Sequence, residues 1–491
     1  MNKKSQTMVK PSLNAGKSEG FGRAIAMMTV IDSLMLIAVL LLSSFLLSSC
    51  LKDNKNINEV EGEATAMKVS ISFPRSMNKA TADNNATNAE TQINTVDVFI
   101  YTAVGAFSSH ISLPSTAFKY TGGKGGADVY EYDEAATRIP TATGDKAIFA
   151  GINLPDGMAD KLINKPASAL ATTVQTLTYE QLIGSTGNTG FVMFSTEGVT
   201  SKFVKDENAP ANSITVTCRR LAAKITVEHA ASLLGTETEQ IERYGGTFHN
   251  LRFAIFNCNT KMYLLQGVPE AREDPNWTTG SYKAGDFKDA NSIHTASPIV
   301  NGGWATIKSI GEIDGNVNNY DPRYAAENTT EGKLKKEVTR AVVLANFKPV
   351  KITRFDGTNF YQIDNPFSPT AAFWMITLSP VVSYYFESWA NARQFADAMD
   401  FPRTNIKQYG WGCYWDIFLN KPDPADPNLN PNRWDVLRND YYKCTITKIV
   451  GLGRPDTDLP DPEVTPDTDT NIEVSIEVLN WHLVGRDYIL D

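Results

Sequence analysis

Histidine and cysteine are scarce in this 491-residue chain, five of each. His110, His229, His249, His294 and His482 are scattered, with no HExxH and no pair one helical turn apart, so no hydrolytic metal site is spelled out. CxxC spacing is also missing. Cys218, Cys258, Cys413 and Cys444 lie far apart and read either as small buried hydrophobes or as one or two disulfides, rather than a metal site. There is no basic excess: a formal net charge of −9 and a pI near 5.3 argue against nucleic acid as a partner. Gly122-Gly123-Lys124-Gly125-Gly126 lacks the GxxxxGK[ST] order of a phosphate loop and sits between strand-like segments, so it reads as a hairpin tip. Asp467, Asp469 and Asn471 begin like a calcium loop but lack its glycine and closing glutamate. No pair of carboxylates is singled out. These absences predict a non-enzyme with no cofactor, no metal and no catalytic residue.

What the chain has is strands. Near the C-terminus Ile472, Val474, Ile476 and Val478 alternate with Glu473, Ser475 and Glu477, the period-2 pattern of a strand with one buried face. At Val478-Leu479 the phase switches and Leu479, Trp481 and Leu483 become the apolar set, as at a bulge. The preceding residues 455–470 are rich in Pro, Asp and Thr with almost no apolar side chains, a composition that favours an extended, self-repelling tether. The spacing therefore predicts a strand held away from its own domain, ready to complete a sheet elsewhere. A second strand, Met67 to Phe73, places Met67, Val69, Ile71 and Phe73 on one face. Its Val69-Ser70-Ile71 recurs as Val474-Ser475-Ile476, each copy preceded by a charged residue, so the two strands are suited to one groove. If the first strand left, the tethered strand of another copy would fill the trough by strand addition.

The N-terminus reads as a targeting segment. Lys3, Lys4, Lys10, Lys17 and Arg23 give a basic leader, followed by an apolar run from Ser33 to Leu47 that is short for a membrane span. Leu47-Ser48-Ser49-Cys50 is the lipobox pattern of a bacterial lipoprotein signal, which predicts cleavage before Cys50 and lipid on that residue. The leader is long and Asp32 interrupts it, which leaves the start codon open. After the first strand, Arg75 and Lys79 are the only basic residues between Lys68 and Lys119, in a polar stretch suited to proteolysis. Both are candidate processing points for an Arg/Lys-specific protease.

From Ile93 onward short β segments alternate with turns. Val96, Val98 and Ile100 alternate, 146–153 is a buried-type run, and 213–229 reads as two strands or one kinked one. Residues 251–265 read as a hairpin around Asn257 and Asn259, and 338–345 and 371–385 are again β. Helical character is confined to 178–183 and 388–399. The fold class is all-β, with sandwiches and a boundary just after His229. The aromatic run from Tyr409 through Trp411, Tyr414 and Trp415 to Trp434 reads as core packing in preference to an exposed glycan-binding or adhesive surface.

The lipobox, the first strand with a basic residue soon after it, Arg220 to Glu228 (RLAAKITVE), and Arg438 to Ile449 (RNDYYKCTITKI) before a tether and a Trp481-bearing strand occur in the order seen in Bacteroidales (type V) fimbrillins. The chain resembles that family over nearly all of its mature length, nearest the major shaft subunits of short fimbriae. The resemblance implies two tandem transthyretin-like β-sandwich domains with exchangeable terminal strands. It divides the chain into a signal peptide (1–49), a lipidated propeptide with the removable strand (50–79), an N-terminal sandwich (80–229), a C-terminal sandwich (230–454), a tether (455–470) and a donor strand (471–491).

It also implies a structural subunit of a fimbrium (pilus) on the outer membrane of a Gram-negative bacterium, lipidated with palmitate at Cys50 before processing. Polymerisation by donor-strand exchange would support adhesion and biofilm formation. Lys79 best matches the family's cleavage arginine, with Arg75 nearer the strand, so the bond and the protease stay open. Expected partners are other copies, other fimbrial subunits, the outer membrane through the lipid, the processing protease, and host or bacterial surface receptors. Alternatives are a tip, accessory or anchor subunit with an adhesin role, and a monomeric glycan-binding surface lipoprotein.

Overall fold

A computed structural model describes residues 62–74, 88–124, 127–133, 138–184, 190–265, 274–275, 277–278, 281–282, 303–310, 321–329, 334–379, 382–410, 412–420, 434–456, 461, 465–466 and 472–480. The chain is predominantly β, as the alternating patterns predict.

Ten strands before Leu221 form one sheet. They are β1 (Ala64–Pro74), β2 (Thr95–Thr102), β3 (Phe107–Pro114), β4 (Phe118–Lys124), β5 (Ala127–Tyr132), β6 (Ile139–Ala142), β7 (Gly144–Ile152), β8 (Met193–Ser195), β9 (Val199–Phe203) and β10 (Ser213–Arg220). Their order is β3-β2-β7-β8-β10-β1-β5-β4, with β9 beside β7 and β6 beside β1. Gly122, Gly123 and Lys124 of the glycine-rich segment pair with Val129, Asp128 and Ala127 between β4 and β5, and Gly125 and Gly126 lie outside the described residues. Leu221 separates two strands that belong to different sheets. β11 (Ala222–His229) joins β15 (Asp440–Ile449) in parallel, and β16 (Ile472–Asn480) closes that sheet antiparallel to β15. Residues 308–309 and 323–326 flank β11. The facing sheet contains β12 (Gly246–Phe256), β13 (Arg340–Pro349) and β14 (Cys413–Phe418).

One core, containing Ile225, Phe253, Val343, Trp415, Tyr442 and Ile472, fills the space between these two sheets as a β-sandwich. In β11 Ala223, Ile225 and Val227 alternate with Lys224, Thr226 and Glu228, yet both faces are buried, so its polar side chains are covered as well. Tyr409, Tyr414, Trp415 and Trp434 are all buried, as core packing of the aromatic run requires, and Trp411 lies outside the described residues. The four cysteines are buried and form no disulfide, which resolves the alternatives left by their spacing. Burial pushes the thiols of Cys218, Cys413 and Cys444 up, away from the reactive thiolate.

The expected helices form at Tyr179–Ile183, with Thr178 and Gln181 in a capping box, and at Trp389–Ala398, capped by Ser388. The hairpin expected over 251–265 does not form. Lys261 and Met262 instead pair with Thr176 and Gln175, because Asn257 turns the chain with a positive φ and its amide binds the Lys336 and Val338 carbonyls.

Candidate functional site

β1 occupies the middle of the first sheet. On one side Lys68 to Ser72 run parallel to Ser213 to Thr217 of β10. On the other, Ala64 to Met67 pair antiparallel with β6, and Ile71 to Pro74 with β5. Met67, Val69 and Ile71 are fully buried and Phe73 nearly so, edge-on to Tyr130 at 5.8 Å. Four such side chains contribute roughly 1.5–3 kcal/mol each, an upper estimate because an isolated strand already hides some surface. Polar clips hold the strand as well. Asn212, itself fully buried, donates to Thr65 Oγ1 at 3.0 Å and to the Ala66 carbonyl at 3.1 Å. The Ser72 hydroxyl meets Thr217 Oγ1 at 2.9 Å. Asn212 and Thr65 carry no sequence signal beyond their type, and inspection of alternation alone misses them. Withdrawing β1 would open a slot with a row of backbone groups on either side.

β16 shares the alternation and differs in position. It lies at the end of its sheet, paired only with β15 among the described strands. Ile472 is buried, Val474 and Ile476 are half-buried against the C-terminal core, and Glu473 and Ser475 face out. Lys448 Nζ donates to Glu473 Oε1 at 2.8 Å.

Two expectations need correction here. The strand is not held away from its own domain, because β15 offers it a free edge and the core accepts Ile472. The pairing is also continuous through Val478 and Leu479, opposite Tyr442 and Tyr441. The irregularity falls instead on the facing strand between Ile446 and Lys448. Trp481, Leu483, Cys50, Arg75 and Lys79 lie outside the described residues, and Val478 and Leu479 are described by their backbone alone.

Residues 408–487, which contain β14, β15 and β16, match the family model "Major fimbrial subunit protein type IV, Fimbrillin, C-terminal". This part of the chain is similar to the C-terminal region of fimbrillins. Among solved structures it is similar to a fimbrilin (FimA) from Porphyromonas gingivalis W83 (14% identity, 86% of this chain and 99% of that one, TM-score 0.43). It is similar also to the tip fimbrial protein Mfa3 from Porphyromonas gingivalis with C-terminal truncation (12%, 85% and 100%, TM-score 0.35). A fimbrial assembly protein from Parabacteroides distasonis ATCC 8503 is a third (12%, 84% and 100%, TM-score 0.37). No curated protein matches the sequence.

Residues 408–487 meet the rest of the chain along β13, where β14 pairs with it, and through the two sequence blocks that carried the resemblance. Asn439, with positive φ, donates its backbone N–H to the Ala222 carbonyl at 2.7 Å and accepts from the Arg220 N–H at 3.3 Å. Arg438 reaches Glu327 at 2.7 Å and the Leu264 carbonyl at 2.8 Å. Beneath them lies a charge pair that sequence reading missed. Glu90, on the short helix Asn88–Thr91, is fully buried and binds Lys224 Nζ at 3.1 Å, while the Tyr324 hydroxyl donates to it at 2.6 Å. Arg220 Nε donates to the Glu90 carbonyl at 3.0 Å. Burial lowers the Lys224 and Arg220 pKa values, the latter to about 10, with Glu90 opposing the shift in both. Burial also raises that of Tyr324.

Glu90 lies just beyond the candidate processing points. Gln92 follows, its carbonyl accepting from Asn153 Nδ2 at 2.8 Å. Glu90 and Gln92 are thus both tied to the body of the fold C-terminal to the candidate processing points.

Proposed function

We propose that this chain is a structural shaft subunit of a cell-surface fimbrium, non-enzymatic and built to polymerise. In this reading it is exported as a lipoprotein through Cys50 to the outer membrane of a Gram-negative bacterium. An Arg/Lys-specific protease cuts at Lys79 or Arg75. β1 then leaves, and Ile472, Val474, Ile476 and Val478 of another copy, continued by Leu479, Trp481 and Leu483, fill the slot of Met67, Val69, Ile71 and Phe73. The subunit comprises two tandem transthyretin-like sandwiches. The polymer, with other fimbrial subunits, would serve adhesion and biofilm formation.

The observation that carries this reading is positional. A central strand with four buried side chains follows the leader, and an edge strand of matching alternation ends the described chain. Removing the first creates a vacancy that the second fits chemically. The Glu90 and Gln92 contacts would keep the cut chain seated downstream of the vacancy.

The test uses protein from Leu51 onward, treated with trypsin under native conditions while mass and size are followed. Loss of a fragment ending at Arg75 or Lys79, followed by oligomer growth that deletion of 471–491 blocks, is the expected result. Fragment loss with a persistent monomer would move the assignment to a tip or accessory subunit. An uncut protein would indicate an anchor subunit or a monomeric surface binding protein.

A further inference from the structure

The chain does not leave the body where β15 ends at Ile449. Trp415 Nε1 donates to the Gly451 carbonyl at 3.2 Å, and the Tyr409 hydroxyl to the Gly453 carbonyl at 2.9 Å. Arg454 and Tyr414 exchange both backbone hydrogen bonds, at 2.8 and 2.9 Å, forming one antiparallel rung on the outer side of β14. The Arg454 guanidinium reaches Asp416 Oδ2 at 2.6 Å, while Asp416 Oδ1 accepts from Arg340 Nε at 2.9 Å. A Cβ at Gly453 would run into the Tyr414 carbonyl and the Trp415 ring, so only glycine permits this approach. Leu452 packs on the C-terminal core. β14 belongs to one layer of the sandwich, β15 and β16 to the other. The connection therefore crosses from one layer to the other, is stitched there, and returns.

We propose that the 451–454 stitch is the root of the donor leash, with Arg454 and Gly453 as its positioning residues. When β16 leaves β15 for a second copy, this segment stays on β14 and only the chain beyond it is paid out. This rests on the strand-donation reading above. It fixes the reach of the donor: the 455–471 segment has a contour of at most about 60 Å, whereas release from Ile449 would add nearly a third more. Two-way backbone pairing, a shared carboxylate between two arginines and a glycine-only contact are more than a passing loop needs. Their joint effect is to hold the start of the tether at one point on the subunit. A fixed root and a set length together determine where the next subunit sits and how high the effective concentration of its donor is.

The test pairs a shortened leash with a loosened root. Deleting 457–460 removes about 13 Å of contour, and slows oligomer growth of processed protein at least about tenfold if the root is fixed. Adding Arg454→Ala, or separately Gly453→Val, to that deletion frees the upstream residues and restores growth to within about threefold of the full-length leash. No effect of the deletion, or no rescue by either substitution, overturns the proposal.

Amide hydrogen exchange reports on the stitch itself. The Arg454 N–H is slow in the unaltered protein and fast in both variants, while β13 and β15 stay protected; a fast amide in the unaltered protein also overturns it. A synthetic peptide of residues 472–490 separates the two levels of inference. Binding of the peptide to processed protein without rescue rejects the root alone, and failure of the peptide to bind rejects strand donation and the root with it.

Discussion

Asp440 opens β15 within the block that contacts Leu221's flanks. Burial raises its pKa to about 7; Arg219 opposes that shift and Glu327 adds to it. An unfolded aspartate titrates near 3.9, so between roughly pH 4 and pH 7 the folded state holds a proton that the unfolded state has lost. Stability from this group is therefore greatest at the acidic end of that window and is lost as pH rises to about 7. Asp440→Asn keeps the size and removes the charge. The expected result is a midpoint in urea above that of the unaltered protein at pH 8, with the gap closing toward pH 4. An unchanged gap across that range would mean that Asp440 is ionised in the fold throughout. Its neighbours show the same economy of position: the positive φ of Asn439 turns the chain so that both its backbone and its side chain reach the preceding strand pair.

At the level of elements, β1 is held by packing that any apolar strand could provide and by clips that are specific to it. Asn212 is the main clip, binding Thr65 Oγ1, the Ala66 carbonyl and the Val204 carbonyl from a fully buried position. Asn212→Ala leaves buried acceptors unmatched at a cost of roughly 1–3 kcal/mol. Once the polypeptide is cut after β1, that loss falls on strand retention. Fragment release measured by mass should then be faster by about tenfold or more, since 1.4 kcal/mol is a factor of ten. Equal release rates would place the barrier in the apolar face alone. Much of this element was legible in the sequence. The alternation of Met67, Val69, Ile71 and Phe73 marks the buried face, and that of Ile472, Val474 and Ile476 does the same for β16. Strand alternation says which face is buried but not which edge is free, so the pairing of β16 with β15 was not legible. Nor was the handover of Lys261 and Met262 to residues 175–176, because a pair of residues carries no period.

Across the whole molecule, the described residues from Glu63 onward form one compact unit even though sheet membership changes at Leu221. Two kinds of contact join the two groups of strands: polar ones, Glu90 with Lys224 and Tyr324 and Asn439 with Arg220, and an apolar one in which Ala222, Tyr324, Ala326 and Tyr441 pack into the first core. Buried ion pairs are weak evidence of net stabilisation, but removing one partner strands the other charge at a cost of about 3–5 kcal/mol. Such contacts therefore act as couplers, since either group unfolding alone would expose half of each network. Lys224→Met tests this directly, because it leaves the Glu90 carboxylate buried without its cation while the apolar cores stay intact. The unaltered protein should unfold in one calorimetric transition with coincident near- and far-ultraviolet circular dichroism. Lys224→Met should split it in two, and adding Glu90→Gln should recover part of the coupling by removing the stranded charge. Two transitions in the unaltered protein would show that the networks orient the two groups without coupling them. If the chain polymerises by the proposed strand donation, coupled groups would pass tension from the donor's root through the sandwich to the slot, whereas uncoupled ones would yield at Leu221 first.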